Sequence, residues 1–166
     1  MAVVTKYGTG YKDPSSLKAI DGINRGAELR VIKSLAAIAN GDNSGSKYYL
    51  GSVPTNAKIN PGATLYTTAI TGVSSAKLGF YYPNGGAAVL DTALFSAQTL
   101  ASAAALTLFA AANSGVATPT NIDKYVWQLA GLSADPGGEL DIVLTTAADA
   151  SAAGSVFLEG SYAKGV

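Results

Sequence analysis

Short runs in which apolar and polar residues alternate, each closed by a cluster of Asn, Asp, Gly or Pro, constrain this chain more than any other feature. Alternation with a period of two places successive side chains on opposite faces of an extended backbone, so each run predicts a half-buried strand. Ser46 to Val53 sets Tyr48 and Leu50 against Lys47 and Tyr49, and Pro54 ends it. Ala76 to Tyr82 sets Leu78, Phe80 and Tyr82 against Lys77, Gly79 and Tyr81, then runs into the turn Pro83-Asn84-Gly85-Gly86. Arg30 to Ala39 is a further strand, closed by Asn40 to Gly45, whose residues tolerate positive φ and form local Asx bonds. Leu65 to Thr71, rich in Tyr and Thr, is another.

Near the end of the chain Leu140, Ile142 and Leu144 alternate with Asp141, Val143 and Thr145, and Val156, Leu158, Gly160 and Tyr162 alternate with Ser155, Phe157, Glu159 and Ser161. The connection between them, Ala147 to Gly154, is too short for a crossover helix and predicts an antiparallel pair with even-numbered residues on the core side. One segment departs from the pattern. Ile122, Tyr125, Val126 and Leu129 follow helical spacing, which predicts a short amphipathic helix over 121–131, with Thr120 or Asn121 as N-cap and Gly131 closing it. The Ala-rich run Ala101 to Ala112 suits either helix or strand by composition, and its context favours irregular strand or loop. Seven or so short strands with one helical insert predict an all-β fold, a jelly-roll-like antiparallel β-sandwich. Residues 1–28 show neither period and read as an extended N-terminal arm, which leaves 29–166 as the sandwich domain.

Chemistry is narrowed by what the chain lacks. Its 166 residues include no cysteine and no histidine, which removes thiolate and imidazole metal sites, cysteine nucleophiles and Ser-His-Asp triads. Charged residues make up 13%, about half the usual share, and the net charge is zero, so nothing global attracts nucleic acid or an anionic membrane. That zero is a balance of opposite ends. Residues 1–33 carry six cations against three acids, residues 134–166 carry five acids against Lys164, and residues 59–133 hold only Lys77, Asp91, Asp123 and Lys124. The apolar stretch Gly86 to Ala112 is interrupted by Asp91, Gln98 and several hydroxyl residues and does not read as a membrane span. The first residues lack the continuous apolar core of a secretory signal and read as part of the mature chain.

Acidic turns are the remaining candidates for metal or acid-base chemistry. Asp135, Glu139 and Asp141 in ADPGGELD, and Asp42 with Asn43 and Ser44, supply oxygen donors, but neither segment has the alternating donors of an EF-hand, and both read as solvated turns. No catalytic, cofactor-binding or metal-binding residue is assigned, and an enzyme is not expected. Contact residues are easier to name. Tyr7 and Tyr11, flanked by Lys6 and Lys12, give the arm large contact area and charge, and Arg25 extends its basic character. Trp127 lies off the helical stripe and reads as a second packing face or a partner contact, so Lys6, Tyr7, Tyr11, Lys12, Arg25 and Trp127 form the candidate partner-binding set. Of the adjacent tyrosines in Tyr48/Tyr49 and Tyr81/Tyr82, at least one of each pair leaves the core face, to meet a neighbour across the strand, a subunit or a sugar ring.

Four blocks, VTKYGTGYKDP, IANGDNSGSKYYLGSVPTNAKI, AITGVSSAKLGFYYPNGGAAVLD and KYVWQLAGLSADPGGELDIVLTTAADASAAGSVFL, resemble small virion structural proteins of tailed bacteriophages, in particular capsid decoration (cement) proteins. The resemblance implies a jelly-roll-like sandwich on the outside of a phage head, without cofactor, whose partners are the major capsid protein and copies of itself, usually a trimer. It implies synthesis in the host cytoplasm and a final place on the capsid surface. The charge-poor composition is compatible with surface covered by neighbours in a repeating assembly. Other readings of the same composition are a carbohydrate-binding virion module using exposed tyrosines and Trp127, and a tail-tube or head-completion ring component.

Overall fold

A computed structural model describes residues 29–164. In chain order its elements are β1 (Leu29–Ile38), β2 (Lys47–Pro54), β3 (Ala57–Ile59), β4 (Thr64–Thr67), β5 (Ala76–Tyr81), β6 (Ala88–Gln98), β7 (Ala104–Thr107), the single turn of helix α1 (Val126–Leu129), β8 (Glu139–Thr146) and β9 (Gly154–Lys164). Two antiparallel sheets result. One has the order β1-β9-β4-β7, with β3 also on β9, and the other has the order β2-β8-β5-β6.

The pairings are nested: β1 with β9, β2 with β8, β4 with β7 and β5 with β6. Each early strand waits for a late one. The two sheets then face each other through side chains that obey the period of two: Leu50, Leu65, Leu78, Phe80, Leu144 and Leu158 are all buried between them. Each such side chain contributes about 2 kcal/mol by leaving water, which is what holds two sheets with few charges together.

Several local features follow from residue type. Gly41 and Gly45 take positive φ in the turn after β1, and Asn84 and Gly85 do so between β5 and β6, as the turn-forming residues predict. β2 carries a bulge between Tyr49 and Gly51 and stops at Pro54. At the junction of β3 and β4, the chain from Asn60 to Ala63 crosses β9 so closely that a Cβ on Gly160 would stand 2.7 Å from the Ala63 Cβ. Only glycine fits there.

Four expectations need correction. β8 and β9 do not pair with each other: they lie in opposite sheets, and residues 147–153 carry the chain across the sandwich. The predicted facing of Leu140, Ile142, Leu144, Val156, Leu158 and Tyr162 holds, because facing depends on the period of two and not on which strand is the neighbour. The helix over 121–131 shrinks to Val126–Leu129, with Tyr125 as its N-cap, because Pro119–Asn121 forms a separate 3-10 turn and Ile122 stays exposed. Its end is as expected: Gly131, at φ +75°, receives the chain, its N–H donating to Gln128 O and that of Leu132 to Trp127 O. Tyr82 is exposed, since β5 ends at Tyr81. Finally, residues 88–98, to which the sequence assigns no strand, form the eleven-residue β6.

Candidate interaction surface

The sandwich has two outer faces, and they differ. On the β2-β8-β5-β6 sheet the outer face around Tyr81 is covered by the chain's own residues, while Lys47 and Tyr49 on β2 stay exposed. Tyr81 stands opposite Asp141 on that face, yet it is only 3% exposed. Its hydroxyl reaches Thr145 Oγ1 at 3.1 Å and Lys47 Nζ sits 5.0 Å from its ring centroid, and Val143, between Asp141 and Thr145 on the same face, is fully buried. Beside it β6 bulges over Gly79, and the Lys77–Asp91 ion pair at 3.1 Å fastens that bulge to β5. The outer edge of β6 is covered as well. Ala117 N–H donates to Ala93 O at 2.9 Å, Ser96 Oγ donates to Ser114 O at 3.1 Å, and Ala93, Leu94 and Phe95 are consecutively buried.

Among the described residues, the β1-β9-β4-β7 sheet is bare by comparison. Residues directly opposite in an antiparallel ladder share a face, so the registers give its outer rows. Leu35, Phe157, Tyr66 and Ala105 form one apolar row across four strands. The next row is Lys33, Glu159, Thr64 and Thr107, in which Lys33 Nζ lies 3.3 Å from Glu159. Beyond it Val31 stands beside Ser161, and Leu29 beside Ala163 and Lys58. Leu29, Val31 and Leu35 are 65%, 68% and 71% exposed, and Tyr66, stacked on Phe157 at 6.2 Å, is 44% exposed. Four of the seven exposed large hydrophobic residues among those described therefore share this face. A cluster of that kind on a charge-poor chain makes this face the candidate interaction surface.

A second feature is a shallow groove at the edge where β1 and β2 approach, lined by Ser34, Tyr49, Gly51, Asn84, Glu139 and Asp141 among others. Ser52 Oγ donates to Asp141 Oδ1 across it at 2.5 Å. Asp135 accepts the N–H of Gly137 at 2.9 Å and so closes its own turn. No group of three acidic residues converges among the described residues.

Asp42 belongs to a latch. Tyr48 donates its hydroxyl proton to Asp42 Oδ2 at 2.6 Å, and Ala39 N–H donates to the same oxygen at 2.9 Å. These bonds hold the Asp42 carboxyl below its ordinary range, the tyrosine bond having the larger effect. Partial burial, and then Asp42, push the Tyr48 phenol up to about 12. The neighbouring Asp149 accepts Ser44 N–H at 2.7 Å, so the turn after β1 is tied to the crossing between β8 and β9.

Of the predicted contact residues, Lys6, Tyr7, Tyr11, Lys12 and Arg25 lie outside the described residues. Trp127 is half-buried on α1, its backbone N–H bonded to Thr55 O at 3.0 Å, and it lies outside the rows of the bare face. The sequence reading missed that face because the neighbours that form each row come from distant strands. The one available signal was Leu29, Val31 and Leu35 at alternate positions.

Neither a protein-family model nor a curated protein sequence matches the chain. Among solved structures, a chain of the cyanophage Pam1 capsid asymmetric unit superposes on it with a TM-score of 0.52 at 18% sequence identity, over 92% of this chain and 97% of that one. The likeness is one of fold. It runs through nearly the full length of both chains.

Proposed function

We propose that this protein is a structural component of a phage virion, a capsid decoration protein that binds the outside of a head and strengthens contacts between major capsid proteins. The observation that carries the reading is the full-length fold likeness to a chain of a phage capsid asymmetric unit. The bare apolar face of the β1-β9-β4-β7 sheet supports it, since a decoration protein acts by burying area at subunit junctions. The nested pairing β1·β9, β2·β8, β4·β7 and β5·β6 supports the jelly-roll topology that the sequence resemblance implies. On this reading the protein has no turnover, its partners are the major capsid protein and further copies of itself, with a trimer the arrangement the resemblance implies, and its place is the capsid surface after synthesis in the host cytoplasm.

Co-sedimentation tests it. The purified chain should pellet with assembled, expanded capsids and stay in the supernatant with unassembled capsid protein. Equal binding to both, or to neither, overturns the decoration role, and a few copies per particle would point to a portal or tail ring.

A second reading has one observation in its favour: Tyr49, 44% exposed, lines the groove that also holds Asn84, Glu139 and Asp141, an aromatic platform beside hydroxyl-binding groups such as a sugar requires. Glycan binding that disappears in Tyr49→Ala would support a carbohydrate-binding module instead.

A further inference from the structure

The four sheet edges are not treated alike. Exposed edges template pairing with other chains, and folds blunt them with bulges, proline, short length or a covering segment. β2 has its bulge and Pro54, β7 has only four residues, and β6 has register shifts and the chain 114–117 along its edge. Among the described residues, β1 has none of these. It is ten residues long, contains no Gly or Pro, and keeps an unbroken register with β9 from Leu29↔Ala163 to Ile38↔Gly154. Its one lysine, Lys33, is drawn back onto Glu159 of its own sheet.

The backbone groups at that edge can be assigned by parity. Asn60 N–H donates to Ser161 O and Thr68 N–H to Ser155 O, so the odd residues of β9 bond toward β3 and β4. The even ones bond toward β1, where the register makes their partners Arg30, Ile32, Ser34, Ala36 and Ile38. Leu29, Val31, Lys33, Leu35 and Ala37 therefore turn their N–H and C=O groups to the open edge. The inner face is also incomplete there, since Ser34 and Ala36 are only half-buried and Ser34 lines the groove between β1 and β2.

We infer that β1 is a pairing edge, and that its occupant is β1 of a second copy, joined antiparallel across a two-fold axis. The strand is self-complementary. A register centred on Leu35 sets Leu35 beside Leu35 of the second copy and Lys33 beside Ala37, with apolar side chains adjoining on the bare face and the two lysines apart. A two-fold contact of this kind also continues the apolar row of Leu35, Phe157 and Tyr66 from one copy into the next. The inference rests on the self-association in the decoration reading and puts a two-fold pairing in place of the trimer that the resemblance implies. It is tested on the isolated full-length chain, so its outcome is separate from that of capsid attachment.

The experiment is sedimentation equilibrium on the wild type, Val31→Lys and Leu35→Pro. Both positions are exposed, and Leu35 turns its N–H outward, where proline costs the monomer no ladder bond. The wild type should form a species with an even number of chains, and each variant should have half that mass with an unchanged circular dichroism spectrum. A wild type with one chain or an odd number, or folded variants that keep the wild-type mass, overturns the inference. Should one variant unfold, the other decides.

Discussion

Tyr66 on β4 stacks on Phe157 of β9 with ring centroids 6.2 Å apart and an interplanar angle of 29°, on the side of the sheet away from the core. The pair sits at the centre of the apolar row that begins at Leu35. Replacing both rings by serine removes the contact surface and leaves the interior intact. Chemical denaturation should show a loss of about 1 kcal/mol, the worth of an aromatic pair. Co-sedimentation with expanded capsids should fall by about tenfold or more, as for a central interface anchor. Unchanged attachment would place the contact elsewhere on the molecule.

Gly79 stands where β6 passes over β5. A Cβ there would collide with the carbonyl of Leu90 and the backbone of Asp91, atoms that cannot rotate away. Gly79→Ala should cost about 3 kcal/mol, as overpacking does, and should displace the Lys77–Asp91 ion pair. The midpoint in urea measures it, and Gly137→Ala, where a Cβ meets open space but φ is +72°, should cost less.

Asn113 is 4% exposed and donates through Nδ2 to the carbonyls of Thr107 at 2.5 Å and Leu108 at 3.2 Å, which fixes the chain leaving β7. Asn113→Ala leaves two carbonyls without that donor and should cost about 2 kcal/mol. Asn113→Asp should cost more at neutral pH than at pH 3, because a carboxylate facing two carbonyls is tolerated only when protonated. Thermal melts at the two pH values distinguish the variants.

The Tyr48–Asp42 latch sets the pH dependence of the turn after β1. The Asp42 carboxyl is lowered on folding from its ordinary 3.8, so its contribution is present above that value and is lost as pH falls below it. The Tyr48 phenol is raised from 10.0 to about 12, so its contribution is complete below pH 10 and is lost as pH rises from there through about 12. Tyr48→Phe should lower stability at pH 7 by about 1 kcal/mol and flatten the alkaline loss, read from urea midpoints between pH 9 and 12.

Strand by strand, the legible part of this protein is local. Leu140, Ile142 and Leu144 face the core because alternate side chains of an extended backbone must, whichever strand lies beside them. Turn residues act in the same way: Gly41, Gly45, Asn84 and Gly85 adopt positive φ because their own sterics permit it. β6 was harder to read, since Ala93, Leu94 and Phe95 are buried in succession under the segment after β7 and show no alternation.

The period of the apolar residues, the absence of cysteine and histidine, and the small charged fraction were determined by the sequence alone, and they sufficed for an all-β chain. Tertiary structure decided which strands meet. β8 and β9 are neighbours along the chain and lie in opposite sheets, because strand pairing is governed by how two whole faces bury each other and not by the length of one loop. The same long-range choice brought Leu35, Phe157 and Tyr66, from three separate strands, into one exposed row. It also tied the Tyr81 hydroxyl to Thr145 on the other outer face, burying a tyrosine on the side that period two assigns to solvent.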